Sequence, residues 1–171
     1  MLTIREELQK DVEDIYHVNL KAFDGDFEAK AVDKLRAANA LTLSLVAIQD
    51  DKLVGHIAFS PVTIETADGI VDAIGLAPMA VLPEYQRRGI GSKLIEEGLA
   101  QLAKVGVKTV FVLGHAEYYP RFGFKPAKHY GLKWEHDCPD DAFMVHELQA
   151  GALNGVSGVV RYRPEFEEPT L

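Results

Sequence analysis

The run IVDAIGLAPMAVL, Ile70–Leu82, constrains the fold more than any other stretch of this chain. It is largely apolar, too short to span a membrane, and so needs cover on both faces, which places it in the middle of a sheet. Pro78 interrupts it. Proline has no N–H for a sheet ladder, so the strand either ends at Ala77 or loses pairing there, freeing backbone groups of Met79, Ala80 and Val81 for another partner.

The flanking segments change period around this run. LTIRE is a short first strand. DVEDIYHVNLKAF carries Val12, Ile15, Tyr16, Val18 and Phe23 near helical spacing, with Asp11 placed to cap its first turn. EAKAVDKLRAA is a second helix. From Leu41 the pattern turns to β formers: LTLSLVAIQ, the turn DDK and LVGHIAFSPVTIE predict a hairpin over Leu41–Glu65. ADG at 67–69 turns the chain into the central strand. Beyond it come a loop at 82–89, an amphipathic helix over Gly89–Val105 and the strand KTVFVLG. HAEYYPRFGF gathers aromatic residues into a short helical turn that Gly123 ends. YGLKWE and AFMVHEL are further strand candidates before a tail bearing glycine and proline.

The 171 residues suit one domain, with no fixed repeat and no low-complexity segment. A net charge of -8 and the lack of a basic face argue against a nucleic-acid partner. The single cysteine, Cys138, rules out an internal disulfide framework. With no signal-like apolar leader and no membrane span, the expectation is a soluble cytoplasmic protein.

QRRGIGSK, Gln86–Lys93, supplies what an anion needs at a helix start: two glycines for close approach, amides without intrahelical partners, and cations. The amides are those of Arg88, Gly89, Ile90, Gly91 and Ser92, and the cations are Arg87 and Arg88. Two nucleotide motifs fail here. The dinucleotide fingerprint needs a third glycine where Leu94 stands, and the P-loop needs a Gly-Lys pair that is absent.

MAVLPEYQRRGIGSKLIEEGL resembles the acetyl-CoA signature of the GCN5-related N-acetyltransferases (GNAT), a strand end followed by Gln/Arg-x-x-Gly-x-Gly/Ala. Met79 stands where that family usually has leucine or isoleucine; Gln86, Gly89 and Gly91 match fully. A second mark, Tyr-x-x-x-Gly-Phe, appears as Tyr119 to Phe124. The agreement covers roughly residues 2–126. The rest resembles a subgroup of uncharacterised bacterial GNAT proteins.

The resemblance implies an α+β fold in which a central, mostly antiparallel sheet, flanked by helices, splays at strands 4 and 5. It implies one domain over 1–171, with 127–171 completing the sheet and the acceptor side. The activity implied is N-acetyltransfer from acetyl-CoA to a small-molecule or peptide amine, by direct attack in a ternary complex. The alternative is a non-catalytic acyl-CoA sensor or scaffold. Backbone at Met79, Ala80 and Val81 would pair with pantetheine, an amide near Met79 would stabilise the oxyanion, and Gln86–Ser92 would hold the pyrophosphate. Tyr119 would protonate the departing thiolate. The central strand offers no base, which leaves His115 as the nearest candidate, with Asp72, Glu117 and His56 behind it. No metal is expected. Homodimers are common in the resemblance group.

Overall fold

A computed structural model of the chain describes residues 1–167. Among them lie nine strands of one mixed sheet and three helices. In order these are β1 (Leu2–Glu6), α1 (Val12–Ala22), α2 (Phe27–Ala37), β2 (Leu43–Gln49), β3 (Lys52–Thr66), β4 (Gly69–Val81) and α3 (Ile90–Lys104). Then come β5 (Thr109–Leu113), β6 (Lys125–Pro126), β7 (Leu132–Trp134), β8 (Phe143–Glu147) and β9 (Gly158–Arg161). None of the helices among the described residues is long and apolar enough to cross a membrane. The chain divides into two compact units. One holds Met1–Ser60 and Ala77–Ala100 with the segment from Pro164; the other holds Pro61–Leu76 and Gln101–Arg163.

In the first unit, β1 pairs antiparallel with β2, and β2 with β3 in the predicted hairpin. Asp50 and Asp51 both take positive φ (49° and 67°), as a two-residue turn matched to strand twist requires. Alternate residues of β3 serve opposite faces. A Cβ on Gly55 would meet Leu94 and Ile90 of α3, while His56 reaches Asn19 of α1. Asp11 departs from its expected role. Its carboxylate makes no cap for α1; it accepts the Leu8 N–H at 2.6 Å and pairs with Arg5 at 2.7 Å, so it holds the preceding 3-10 turn.

His56, fully buried, belongs to a polar chain inside this unit. Asn19 Nδ2 donates to its Nδ1 (3.2 Å), which leaves the proton on Nε2 to donate to Ser44 Oγ (2.9 Å). Ser44 donates to Glu7, which also takes Arg36 in a two-pronged pair at 2.8 and 3.0 Å. Burial pushes His56 down to about 4 against its ordinary 6.5, so it is neutral in the folded state at pH 7. The unfolded chain takes up that proton below pH 6.5 and the folded chain does not. Stability is therefore complete above about 6.5 and falls as pH drops toward 4, by about 3 kcal/mol from this residue. Denaturant melts at pH 7 and 4.5 check this: the wild-type loss is expected to exceed that of His56→Gln by most of this amount.

In the second unit β4 runs parallel to β5 over three residue pairs, Ile74↔Val110 to Leu76↔Val112. β5 pairs antiparallel with β8, and β8 with β6. The core gathers Val62, Ile64, Phe111, Phe143, Val145 and Val160, with Phe111 and Phe143 stacked at 5.4 Å. β9 was not among the expected strands. It pairs antiparallel with the far end of β3, Thr63↔Arg161 to Glu65↔Val159, and parallel with β7.

Pro78 does not end the central strand. β4 continues to Val81 through a cis Ala77–Pro78 peptide. The proline lies just past Leu76, the last β4 residue in the parallel pairing with β5.

Candidate active site

The loop ahead of α3 is set by its backbone. The Leu82 amide donates to Val54 O at 2.9 Å, a 3-10 turn covers Pro83–Tyr85, and Gln86 Nε2 returns to the Val81 carbonyl at 2.9 Å. Val81, expected to offer its backbone outward, thus has its carbonyl held by Gln86. The chain then takes the left-handed conformation twice, at Arg87 (φ 65°) and Gly89 (φ 80°). Lys93 N to Gly89 O, 3.1 Å, is the first helical hydrogen bond, so the amides of Gly89, Ile90 and Gly91 precede the ladder. Buried Ile90 anchors this end, and Gly91 and Ser92 are half-buried.

The electrostatics favour an anion. The first turn of α3 contains no acidic residue, so nothing in that turn neutralises the positive end of the helix dipole. Arg87 and Arg88 are exposed. The Arg88 guanidinium lies 5.3 Å from the Tyr85 ring centroid and Lys52 Nζ 5.6 Å from it, two cations beside one aromatic ring. Upstream, Met79 is half-buried while Ala80 and Val81 are buried.

In the second unit, the segment after β5 places Tyr119. The amides of Tyr118 and Tyr119 both donate to His115 O, at 3.1 and 3.3 Å. A 3-10 turn follows over Tyr119–Phe122, and Gly123 ends it at φ 98°. Tyr119 is 7% exposed, edge-on to Tyr118 (5.2 Å) and Phe124 (5.7 Å). Burial first, and Tyr118 second, push its phenol up to about 12, so it stays protonated across the neutral range. Tyr118 is half-buried instead, beneath Arg121 at 5.7 Å. The His115 side chain is exposed, and what the structure shows of its use is the carbonyl that sets this turn.

Three residues of the second unit escaped sequence reasoning. A Cβ on Gly114 would run into the Tyr119 ring at Cε2 and stand 3.0 Å from Cδ2. Gly114→Ala is therefore expected to displace the ring or to cost about 1–3 kcal/mol in overpacking, checked by a thermal melt and by the tyrosine fluorescence. His146 lies against Gly123 and 5.6 Å from Phe124, its pKa lowered by burial and then by Lys125. Tyr162 presses its ring on Gly75.

A family model for the acetyltransferase (GNAT) domain matches residues 3–127. The chain belongs to the GNAT acetyltransferase family. It is 39% identical over 166 residues to the Escherichia coli K12 protein named Uncharacterized N-acetyltransferase YhbS, covering 96% of this chain and 98% of that one. The YhbS crystal structure in complex with CoA superposes with a TM-score of 0.92 at 38% identity, covering 99% of this chain and 94% of that chain. A GNAT acetyltransferase from Brucella melitensis in complex with acetyl-CoA gives 0.81, also at 38% identity, covering 98% and 99%. The GNAT fold expected from the two sequence marks is thus the fold of this chain, an α+β arrangement around a mixed sheet.

Proposed function

We propose that this GNAT chain transfers the acetyl group of acetyl-CoA to a primary amine of a small molecule or peptide, by direct attack in a ternary complex. The observation that carries the reading is the start of α3. Amides ahead of the helical ladder, a left-handed Gly89 and two exposed arginines stand there, and the first turn of the helix carries no carboxylate. The CoA and acetyl-CoA held by the two similar structures support the same donor here.

In this reading Gly89, Ile90, Gly91 and Ser92 hold the pyrophosphate through backbone N–H groups, with Arg87 and Arg88 adding charge. The dipole contributes roughly 0.3–1 kcal/mol, more if the anion is partly buried. Met79, Ala80 and Val81 run alongside the pantetheine arm, and Gln86 keeps the Val81 carbonyl fixed. Holding donor and amine together supplies most of the rate, up to about 7–11 kcal/mol in ideal cases. Tyr119, buried and protonated, gives its proton to the CoA thiolate as the C–S bond breaks. His115, exposed at the same turn, takes the proton that the amine loses.

The test is thiol release from acetyl-CoA over a panel of mono-, di- and polyamines, amino acids and short peptides. Turnover with at least one amine, lowered about 10²- to 10⁴-fold by Tyr119→Phe, is the expected result. Tight CoA binding without turnover on any amine would make the chain an acyl-CoA sensor instead.

A further inference from the structure

The segment from Gly114 to Pro126 is tied to β8 at both ends. Gly114 N donates to Ala142 O at 2.9 Å, just ahead of β8, and Lys125 and Pro126 pair with Val145 and Met144. Between these ties stands the turn that carries Tyr119, and the side chain of His146 reaches it from β8. A Cβ on Gly123 would stand 2.7 Å from His146 Cε1 and 3.1 Å from each ring nitrogen, so the edge made by Nδ1, Cε1 and Nε2 lies against the backbone that ends the turn. Gly123 admits the ring so closely because it has no side chain, and glycine also holds its φ of 98° without strain.

The same imidazole lies 5.6 Å from the Phe124 ring, and Phe124 stands edge-on to Tyr119 at 5.7 Å. His146 thus meets this turn twice, at the glycine that closes it and through the aromatic ring beside the phenol. The Tyr119 hydroxyl sits at the far end of a rigid ring, so a small rotation of the turn is amplified there. A tilt beyond about 10–20° is enough to take a positioned group out of its productive geometry. The charges that face His146 are those of Lys125 and Glu147. Burial first and Lys125 second lower its pKa against the opposing pull of Glu147, so the ring is neutral above its ordinary 6.5.

We propose that His146 is a positioning residue of acetyl transfer, its ring wedging the Gly123 turn and backing Phe124 so that the Tyr119 hydroxyl is held toward the departing CoA sulfur. The inference rests on the acid role proposed for Tyr119. As the amine nitrogen bonds to the acyl carbon, the C–S bond breaks and its electron pair goes to sulfur, which takes the Tyr119 Oη proton. The proton shed by the amine goes to His115, and water returns one to Tyr119. His146 neither gives nor takes a proton. It supplies geometry: without the wedge the turn can rock between its two ties to β8, and the phenol spends less time within hydrogen-bond reach of the sulfur.

Free CoA serves as the probe, so no acceptor is needed. Its thiolate absorbs in the ultraviolet, and titrating CoA into the full chain at pH 8 reads the thiolate-to-thiol ratio of the bound ligand. Tyr119→Phe is expected to lower this ratio about tenfold, through loss of a charge-assisted hydrogen bond. His146→Ala removes the wedge and is expected to lower it roughly three- to tenfold. His146→Gln keeps a polar side chain of similar length, guards against loss of the fold, and should lower it about two- to fivefold. Because His146 is neutral at this pH, neither variant removes a charge that could act on the thiolate directly. The double variant His146→Gln with Tyr119→Phe should fall no further than Tyr119→Phe alone, because His146 acts through Tyr119. A lowered melting temperature with an unchanged ratio in the His146 variants would make the ring purely structural and overturn the proposal, as would losses that multiply in the double variant. If CoA binds and Tyr119→Phe leaves the ratio unchanged, the acid role falls and this inference with it. If CoA does not bind the wild-type chain, the donor reading fails and takes both down, a result told apart from the others before any variant is made.

Discussion

Tyr119→Phe is expected to lower kcat for acetyl transfer by about 10²- to 10⁴-fold, the range of a positioned general acid, while leaving the KM for acetyl-CoA nearly unchanged. The split follows from what the substitution keeps. Phenylalanine preserves the ring that fits against Gly114 and packs edge-on to Tyr118 and Phe124, so the turn and its fold stay in place. Only the proton donor is lost. With its phenol pushed up to about 12, Tyr119 is protonated throughout an ordinary assay, so the wild-type rate should show no alkaline decline from this group below about pH 10. Tyr118→Phe is the control, since its ring lies half-buried under Arg121, and it should leave kcat as it is. Steady-state kinetics with the best amine of the panel decide the matter. A loss confined to KM would assign Tyr119 to binding.

Gly89→Val should have the second-largest effect, on CoA affinity. No neighbouring atom lies within 4 Å of a Cβ at this position, so crowding is not the cause. The backbone is. At φ 80° a β-branched residue is strained by about 1–3 kcal/mol, and the loop relieves that strain by turning its amides away from the ligand. Affinity should fall about 5- to 150-fold, read by calorimetry with CoA, while the melting temperature changes little. The relief is local because the Leu82–Val54 hydrogen bond and the buried Ile90 hold the loop at either end.

Local chemistry made much of this fold legible. The β2–β3 hairpin follows from alternation around a turn of aspartates, the three helices from apolar spacing, and the end of the Tyr119 turn from Gly123. The family marks pointed to the loop at Gln86–Gly91 and to Tyr119. What stayed hidden depends on distant pairing. β9 is four residues long, and its register is set by β3, almost a hundred residues earlier, a match that no local period encodes. Tyr162 came with it unnoticed. Pro78 left open whether the strand stops at Ala77 or only loses pairing there, because propensity treats the strand alone; β4 carries on beyond its pairing with β5. Asp11 has the composition of a cap, but Arg5 and the Leu8 amide claim its carboxylate first. The Glu7–Ser44–His56–Asn19 chain joins β2, β3 and α1 to the residue that follows β1 and has no sequence signature at all.

A crystal structure of the chain soaked with CoA tests the central claim most directly. The reading requires pyrophosphate oxygens at hydrogen-bond distance, about 2.7–3.2 Å, from the amides of Gly89 and Gly91. Density for the diphosphate away from those amides, with the loop empty at saturating CoA, would contradict it.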